Sequence, residues 1–455
     1  MTSHRIAVVG AGITGASAAL RLVTASADRV DDVVLFERAD HVGGRIDGTP
    51  FAGVESIDAG ADAFLARVPD AVELAQEVGL GDDLVHPEKV GAAVWYDGFH
   101  DIPDGLVLGV PGNPLALARS GLLSWRGKAR AAIEPVLPRT TTEPDNIGRY
   151  VRARFGNEVH ERLVDALVGS IYATDTDRFS LAEIPQLAAL TDERSLLLAA
   201  RRVARRNAGT ASAGAAPIFA APRGGMNRLV TATVDAFVGA GGHLRLGADV
   251  EVLPAGTRWE VGGELFDAVV CALPADRLTG PAGASVPDLQ DRADVVMVTL
   301  LVDDAEFPDR LLGRSGYLVP KPVQRDVTAV SFGSQKWAHW TPPGGGQILR
   351  VSIGRDGAPV LHLDDEEIMT RVLDDLRRQI GVSITPVEHR VSRWPGAFAQ
   401  YRPHHRRRVE QMRDRLPAGL FVAGSSYDGI GIPACVRSGR AFADRAATFG
   451  ADLPS

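Results

Sequence analysis

Three glycine-rich runs hold the residues of this chain best suited to chemistry, and they would act through backbone rather than side chains. Near the N-terminus Gly10, Gly12 and Gly15 follow the spacing G-x-G-x-x-G, with Ile13 and Thr14 between the last two. A second pair, Gly43 and Gly44, is followed at once by the cation Arg45. Near the C-terminus Gly424 opens a run that continues through Gly429, Ile430, Gly431 and Ile432 to Cys435. Without a Cβ, glycine lets backbone N–H groups approach a ligand closely, and a helix N-terminus behind such a turn attracts an anion. These runs suit a large phosphorylated cofactor.

Each run needs an element to present it. The apolar stretch 6–9 reads as a strand and the Ala- and Leu-rich stretch 16–23 as a helix, so the first run is strand, tight turn, helix. Gly10 makes the turn, Gly12 admits a pyrophosphate, and Gly15 lets helix pack on strand. A second apolar strand, 33–36, ends in Glu37, placed to accept hydrogen bonds from a ribose hydroxyl pair, with Arg38 beside it. This set predicts dinucleotide binding. Gly43, Gly44 and Arg45 point to the longer flavin cofactor, with N–H groups and a cation for phosphate or the polar flavin edge. Gly60, Ala61 and Asp62 offer a further close backbone approach beside the ring. The C-terminal run leads from an apolar strand into a helix over 434–449.

Together these motifs resemble the flavin amine oxidase and protoporphyrinogen oxidase superfamily. Ser170-Ile171-Tyr172-Ala173-Thr174, Ser334-Gln335-Lys336-Trp337, Arg350 with Gly354-Arg355, and Arg393-Trp394-Pro395 resemble its porphyrinogen-oxidising members. The run from Gly429 to Cys435 is most similar to their soluble bacterial branch, which acts on coproporphyrinogen III. The resemblance covers nearly the whole chain. It implies an α/β protein with a Rossmann-like FAD-binding domain, an interleaved antiparallel-sheet substrate domain and a helical lobe over the substrate entrance. The expected segments are 1–65, 218–285 and 394–455 for FAD; 66–95, 186–217 and 286–393 for the substrate domain; and 96–185 for the lobe. Val250 is then expected at the adenine, and Trp394 among the cofactor contacts.

The chemistry implied is hydride transfer from a meso carbon to flavin N5. It needs no obligatory catalytic side chain, since the pyrroles share the developing charge and the cofactor carries the hard step. Three such passes, each closed by oxygen with release of hydrogen peroxide, complete a six-electron oxidation. The resemblance puts Ser170 and Tyr172 against the macrocycle, with a core role the stronger reading for Tyr172. Arg67 and Arg178 are candidate cations for propionates, and each is as readily a surface ion-pair partner. Relatives in the soluble branch often carry a lysine just behind the Arg67 position, where this chain has Val68-Pro69. The alternatives are a protoporphyrinogen IX oxidase, an amine oxidase or carotenoid desaturase, and a non-catalytic binding protein on the same fold. The segment from Ser170 to Leu181 speaks against amine oxidases. Complete motifs at both ends speak against a non-catalytic protein.

Composition sets the bounds. With 455 residues, a 45% hydrophobic share and a net charge of −8, the chain suits a globular protein of about three domains and argues against nucleic-acid binding. No stretch is apolar enough for a transmembrane helix. In the lobe Asp145, Arg149, Arg152, Arg154, Glu158, Glu161 and Arg162 are expected to dilute any apolar face, which favours a soluble protein while leaving peripheral membrane contact open. Two cysteines, Cys271 and Cys435, suit neither a disulfide framework nor a thiolate metal site. No tethering cysteine is evident, so FAD is expected to be non-covalent. Arg402, His404, His405 and Arg406 read as a solvated loop and helix start rather than a metal site. The tract 208–216 reads as a flexible surface loop, and the N-terminus runs directly into its first strand. A cytoplasmic monomer is expected, with a downstream haem-pathway enzyme as a candidate recipient of the product.

Overall fold

The computed structural model describes residues 4–140, 145–211, 217–278 and 289–449, the side chains of 207–211 excepted. Five parallel strands form the first sheet, in the order His243–Arg245, Asp32–Phe36, Arg5–Val9, Ala268–Cys271, Leu420–Val422. Its inner strands read as near-continuous apolar runs because both faces are covered, whereas the edge strand His243–Arg245 is largely exposed. Ile6, Val8, Leu35 and Val270 pack under the helices Ile13–Thr24, Asn227–Gly239 and Ile432–Thr448. Ala7, Val9, Phe36 and Val269 face a small antiparallel sheet of Val252–Ala255, Arg258–Val261 and Glu264–Phe266. The first strand of this small sheet begins at Val252, which leaves Val250 in the link before it. Since Ala268–Cys271 separates Arg5–Val9 from Leu420–Val422, motifs from opposite ends of the chain open onto the same sheet edge.

Seven strands form the second sheet, ordered Glu388–Ala399, Arg292–Val302, Gln347–Ile353, Val327–Phe332, Arg314–Leu318, Gly91–Trp95, Phe99–Asp101. All neighbours are antiparallel except Arg314–Leu318 with Gly91–Trp95. Helix Asp365–Ile380 lays Ile368, Val372 and Leu376 on this sheet. A capping box between Asp364 and Glu367 fixes its start, worth about 1 kcal/mol, and Gly381 at φ +80° ends it.

Three expected boundaries move. The cut at 95/96 would separate Gly91–Trp95 from its hairpin partner Phe99–Asp101, and the cut at 393/394 falls inside the strand Glu388–Ala399. Leu187, Leu190, Leu197 and Ala200, expected with the substrate sheet, share the apolar core of the helical lobe with Phe155, Leu163 and Val164.

In that lobe the chain winds as a π-helix from His160 to Gly169. The helix Leu196–Ala211 takes in the first residues of the tract expected as a loop, and 212–216 lie outside the described residues. Several charges expected to dilute the lobe surface are bound internally. Arg154 is buried with Glu134 at 2.6 Å, Arg152 pairs with Asp177, and Arg162 lies 3.3 Å from Glu158. Trp125 and Val136 are left 73% and 75% exposed. No helix of the described residues is long and apolar enough to cross a membrane, and none of their His, Cys, Asp and Glu groups is arranged to hold a metal. His405, expected as solvated, is buried and stacks on Tyr401 with centroids 3.9 Å apart; burial lowers its pKa to about 4, so it is neutral.

Candidate functional site

At the end of Arg5–Val9, Gly10 takes φ +100° and its N–H donates to Phe36 O at 2.8 Å. Gly12 caps the helix Ile13–Thr24, which begins with buried Ile13 and Thr14. A Cβ at Gly15 would collide with Gly10 O, so the helix can sit this close to the turn only with glycine there. The Glu37 carboxylate accepts the N–H groups of Ala11 at 2.7 Å and Ala39 at 2.9 Å. Those bonds brace the glycine turn and leave lone pairs for ribose hydroxyls. Glu37 N donates to Arg245 O and Ala248 N to Glu37 O, which brings the link containing Val250 alongside. Val250 shares an apolar cluster with Phe36, while Arg38 is exposed.

Gly43 N–H donates to Ala11 O at 3.0 Å, so the two N-terminal glycine turns form one cradle. Gly43 and Gly44 both have positive φ, and a Cβ on Gly43 would stand 2.5 Å from Ile46 O. From this cradle Arg45 reaches the C-terminal run, 3.5 Å from Ser425 Oγ. Burial lowers its pKa to about 10, and the charge of Arg292 works in the same direction. Arg292 holds Asp276 at 2.6 Å, whereas Arg45 has no ion-pair partner among the described residues. Two partly desolvated cations served by one carboxylate leave surplus positive charge, which a pyrophosphate would neutralise. The cradle, the braced Glu37 and this charge fit FAD.

On the C-terminal side Gly424 takes φ +112° against Thr14, and its N–H donates to Ser438 Oγ at 2.8 Å. Tyr401 Oη donates to Ser425 O at 2.6 Å and accepts from Gly429 N–H at 3.0 Å, which pins the run from both ends. Gly431 caps the helix Ile432–Thr448, and a Cβ on Gly439 within it would collide with Thr14 O. Ile432 is buried, and Ile430 packs toward the helical-lobe core.

The loop of Gly60, Ala61 and Asp62 lies between these turns and the second sheet. A Cβ on Gly60 would stand 2.5 Å from Arg45 O, and Trp394 Nε1 donates to the preceding Ala59 O at 3.0 Å. Arg350 donates to Gly60 O, and Asp62 receives Lys336 at 2.7 Å and Trp337 Nε1 at 3.3 Å. Burial raises the Asp62 carboxyl, but Lys336 and Arg350 outweigh it and hold it well below the ordinary carboxylate range.

Ser170–Tyr172 closes the π-helical segment, and Ala173 follows in the left-handed region at φ +46°. Ser170 and Tyr172 are half-buried, and the Tyr172 ring lies 5.6 Å from that of Phe179 in the lobe core. Arg178 is engaged by Asp356 at 3.1 Å, which answers its expected alternative role as an ion-pair residue. Arg67 is exposed beyond the strand Phe64–Leu65 and has no ion pair among the described residues.

Sequence reasoning did not single out Arg292, Lys336 or Asp165 as site residues. Arg292 starts a long strand and shows its role only through contacts with Asp276, Gly396 and Ser426. Lys336 stood in a recognised segment, but its partner Asp62 is remote in sequence.

A model of the family of flavin containing amine oxidoreductases matches residues 13–447. The chain is 33% identical to a coproporphyrinogen III oxidase of Mycobacterium leprae over 463 residues, covering 97% of this chain and 98% of that one. To the coproporphyrinogen III oxidase of Bacillus subtilis it is 27% identical over 470 residues, 98% of each chain. In three dimensions it matches an Exiguobacterium sp. crystal structure, provisionally named a protoporphyrinogen oxidase, with a TM-score of 0.82 and 25% identity over 98% of this chain and 99% of that one. Likeness along the whole chain and a fold that brings the N-terminal and C-terminal glycine runs together lead to the same assignment: the chain belongs to the flavin containing amine oxidoreductase family.

Proposed function

We propose that this protein oxidises coproporphyrinogen III to coproporphyrin III with non-covalent FAD, using oxygen and releasing hydrogen peroxide. The observation that carries this reading is its end-to-end likeness to coproporphyrinogen III oxidases. Bound FAD supplies a two-electron acceptor, so three passes complete the six-electron reaction. The protein contributes position and charge. Glu37, the glycine cradle and Arg45 would hold the adenosine and pyrophosphate ends. The loop at Gly60, fixed by Arg350 and Trp394, would set the ring, and Ser170 and Tyr172 would face the macrocycle across it. Arg67 is the cation we assign to a propionate. Burial raises the Cys435 thiol to about 11 and Cys271 to about 12, so neither is a ready nucleophile, in keeping with an untethered flavin. The division we propose follows the sheets: the parallel sheet holds FAD, and the seven-stranded sheet with the helical lobe encloses substrate. A cytoplasmic monomer completes the reading.

The test compares kcat/KM for coproporphyrinogen III and protoporphyrinogen IX under oxygen, following porphyrin fluorescence and peroxide. Acid denaturation should release a yellow chromophore. Coproporphyrinogen should be preferred; preference for protoporphyrinogen overturns the substrate assignment, and no porphyrin from either overturns the enzyme. The second reading, protoporphyrinogen IX oxidase, is favoured by the engagement of Arg178 with Asp356, which leaves fewer cations for four propionates.

A further inference from the structure

Where the helical lobe meets the seven-stranded sheet, a buried ionic knot fastens the segment that follows Ser170. Arg355, immediately beyond the strand Gln347–Ile353, meets Asp165 of the π-helix at 3.0 and 3.2 Å. The same guanidinium donates to Thr174 O and, at 3.2 Å, to Gln324 Oε1. Asp165 Oδ1 also accepts Thr176 Oγ1 at 2.6 Å, so one carboxylate and one guanidinium grip both ends of the turn 170–174. Asp165 and Thr174 are fully buried and Arg355 is 8% exposed. A Cβ on Gly169 would stand 3.0 Å from Arg355 Nη2, so the guanidinium packs closely against this glycine. Asp356 N–H adds a bond to Ala173 O at 2.9 Å, which helps hold Ala173 in its left-handed conformation.

The other end of this connection lies in the cofactor loop. Arg350, five residues before Arg355, donates to Gly60 O. One sheet strand therefore joins the loop assigned to the flavin ring and the turn assigned to the macrocycle, and the strand cannot change length.

We propose that Arg355 and Asp165 are a positioning pair: through Thr174 O they hold the turn 170–173 in a fixed place relative to the Gly60 loop, and so set the macrocycle against the flavin. The proposal rests on the reading that Ser170 and Tyr172 face a porphyrinogen. A buried salt bridge that merely stabilised the fold would make a different set of measurements move. Arg355→Lys keeps a charge beside Asp165 but cannot span the carboxylate, Thr174 O and Gln324 together. In the holoenzyme it should weaken binding of coproporphyrin III, read by fluorescence titration, and lower the anaerobic rate of flavin reduction by about tenfold or more, with reoxidation by oxygen and FAD content unchanged. Gln324→Ala loosens Arg355 without stranding a charge and should show the same pattern in smaller degree, about threefold. The double variant Asp165→Asn with Arg355→Gln replaces the ions by a neutral hydrogen-bonding pair. It should recover most of the affinity lost by Arg355→Gln alone. Lower thermal stability with unaltered porphyrin affinity and reduction rate in Arg355→Lys and Gln324→Ala overturns the positioning role. Wild-type flavin that no porphyrinogen reduces overturns the substrate reading itself, and the positioning role with it.

Discussion

Asp58 offers the most quantitative check on the site. It ends the strand Val54–Asp58, four residues before Asp62, and is 1% exposed. Oδ1 accepts the N–H of Met226 at 2.8 Å, but Oδ2 has no partner. Ser56 Oγ and Asn227 Oδ1 nearby are also buried without partners, and a Cβ added at Gly225 would meet them at 2.8 and 3.0 Å and Asp58 Oδ1 at 3.3 Å. A carboxylate here would bury a charge served by one donor, Met226 N–H, with its second oxygen left without a partner. A neutral acid would supply the missing proton. In line with this, burial raises the carboxyl from 3.8 to about 7, against the Met226 bond and the charges of Arg350 and Arg390 and with the charge of Asp62. The sign follows from linkage: a folded-state pKa above the unfolded one gives stability that is complete below about pH 4 and is lost as pH rises to about 7. The loss is about 4 kcal/mol in total, of which about 3 kcal/mol falls between about pH 5 and pH 8. Asp58→Asn imitates the neutral acid, with an oxygen for Met226 N–H and a nitrogen for its neighbours. Urea denaturation of both holoproteins at the two pH values, at one fixed FAD concentration, isolates the effect because bound cofactor shifts stability in its own right. The wild type should lose about 3 kcal/mol relative to the variant on going to the higher pH. Parallel pH profiles for the two proteins would refute the buried neutral acid.

Three further outcomes follow from the cleft and the lobe. Gly15→Ala should fold with little flavin, because its Cβ would strike Gly10 O and push the helix off the turn; the flavin-to-protein absorbance ratio after purification reads this directly. Arg45→Met should weaken FAD binding by about tenfold and flatten its salt dependence, measured by apoprotein titration at two ionic strengths, since a charge-assisted phosphate bond is lost. Arg154→Met strands the fully buried Glu134 and should cost about 3 to 5 kcal/mol in denaturant unfolding, with FAD affinity in the folded protein unchanged.

What could be read from sequence and what could not divides along a physical line. The Gly10 to Gly15 fingerprint, Glu37 and the Gly43 pair were legible because each is a local constraint: a turn needing positive φ, or a side chain at the end of its own strand. The moved boundaries were not, because one strand can carry residues of two recognised motifs, as Glu388–Ala399 stays in the seven-stranded sheet past Trp394 without any change of composition. Nor was the π-helix His160–Gly169, whose apolar spacing also suits an α-helix. Charges were the hardest to read. The sequence displays Arg154, Arg178, Arg292 and Arg355 alike, yet Arg154 is buried with Glu134, Arg178 reaches from the surface to the buried Asp356, Arg292 holds Asp276, and Arg355 is knotted with Asp165, 190 residues away. A count of cations near a substrate mouth therefore says little about propionate binding. What counts is how each cation is already paired: of the two sequence candidates Arg67 has no ion pair among the described residues, while Arg178 shares Asp356 with Arg402. The choice between a substrate with four propionates and one with two thus turns on pairing, which only the folded chain reveals.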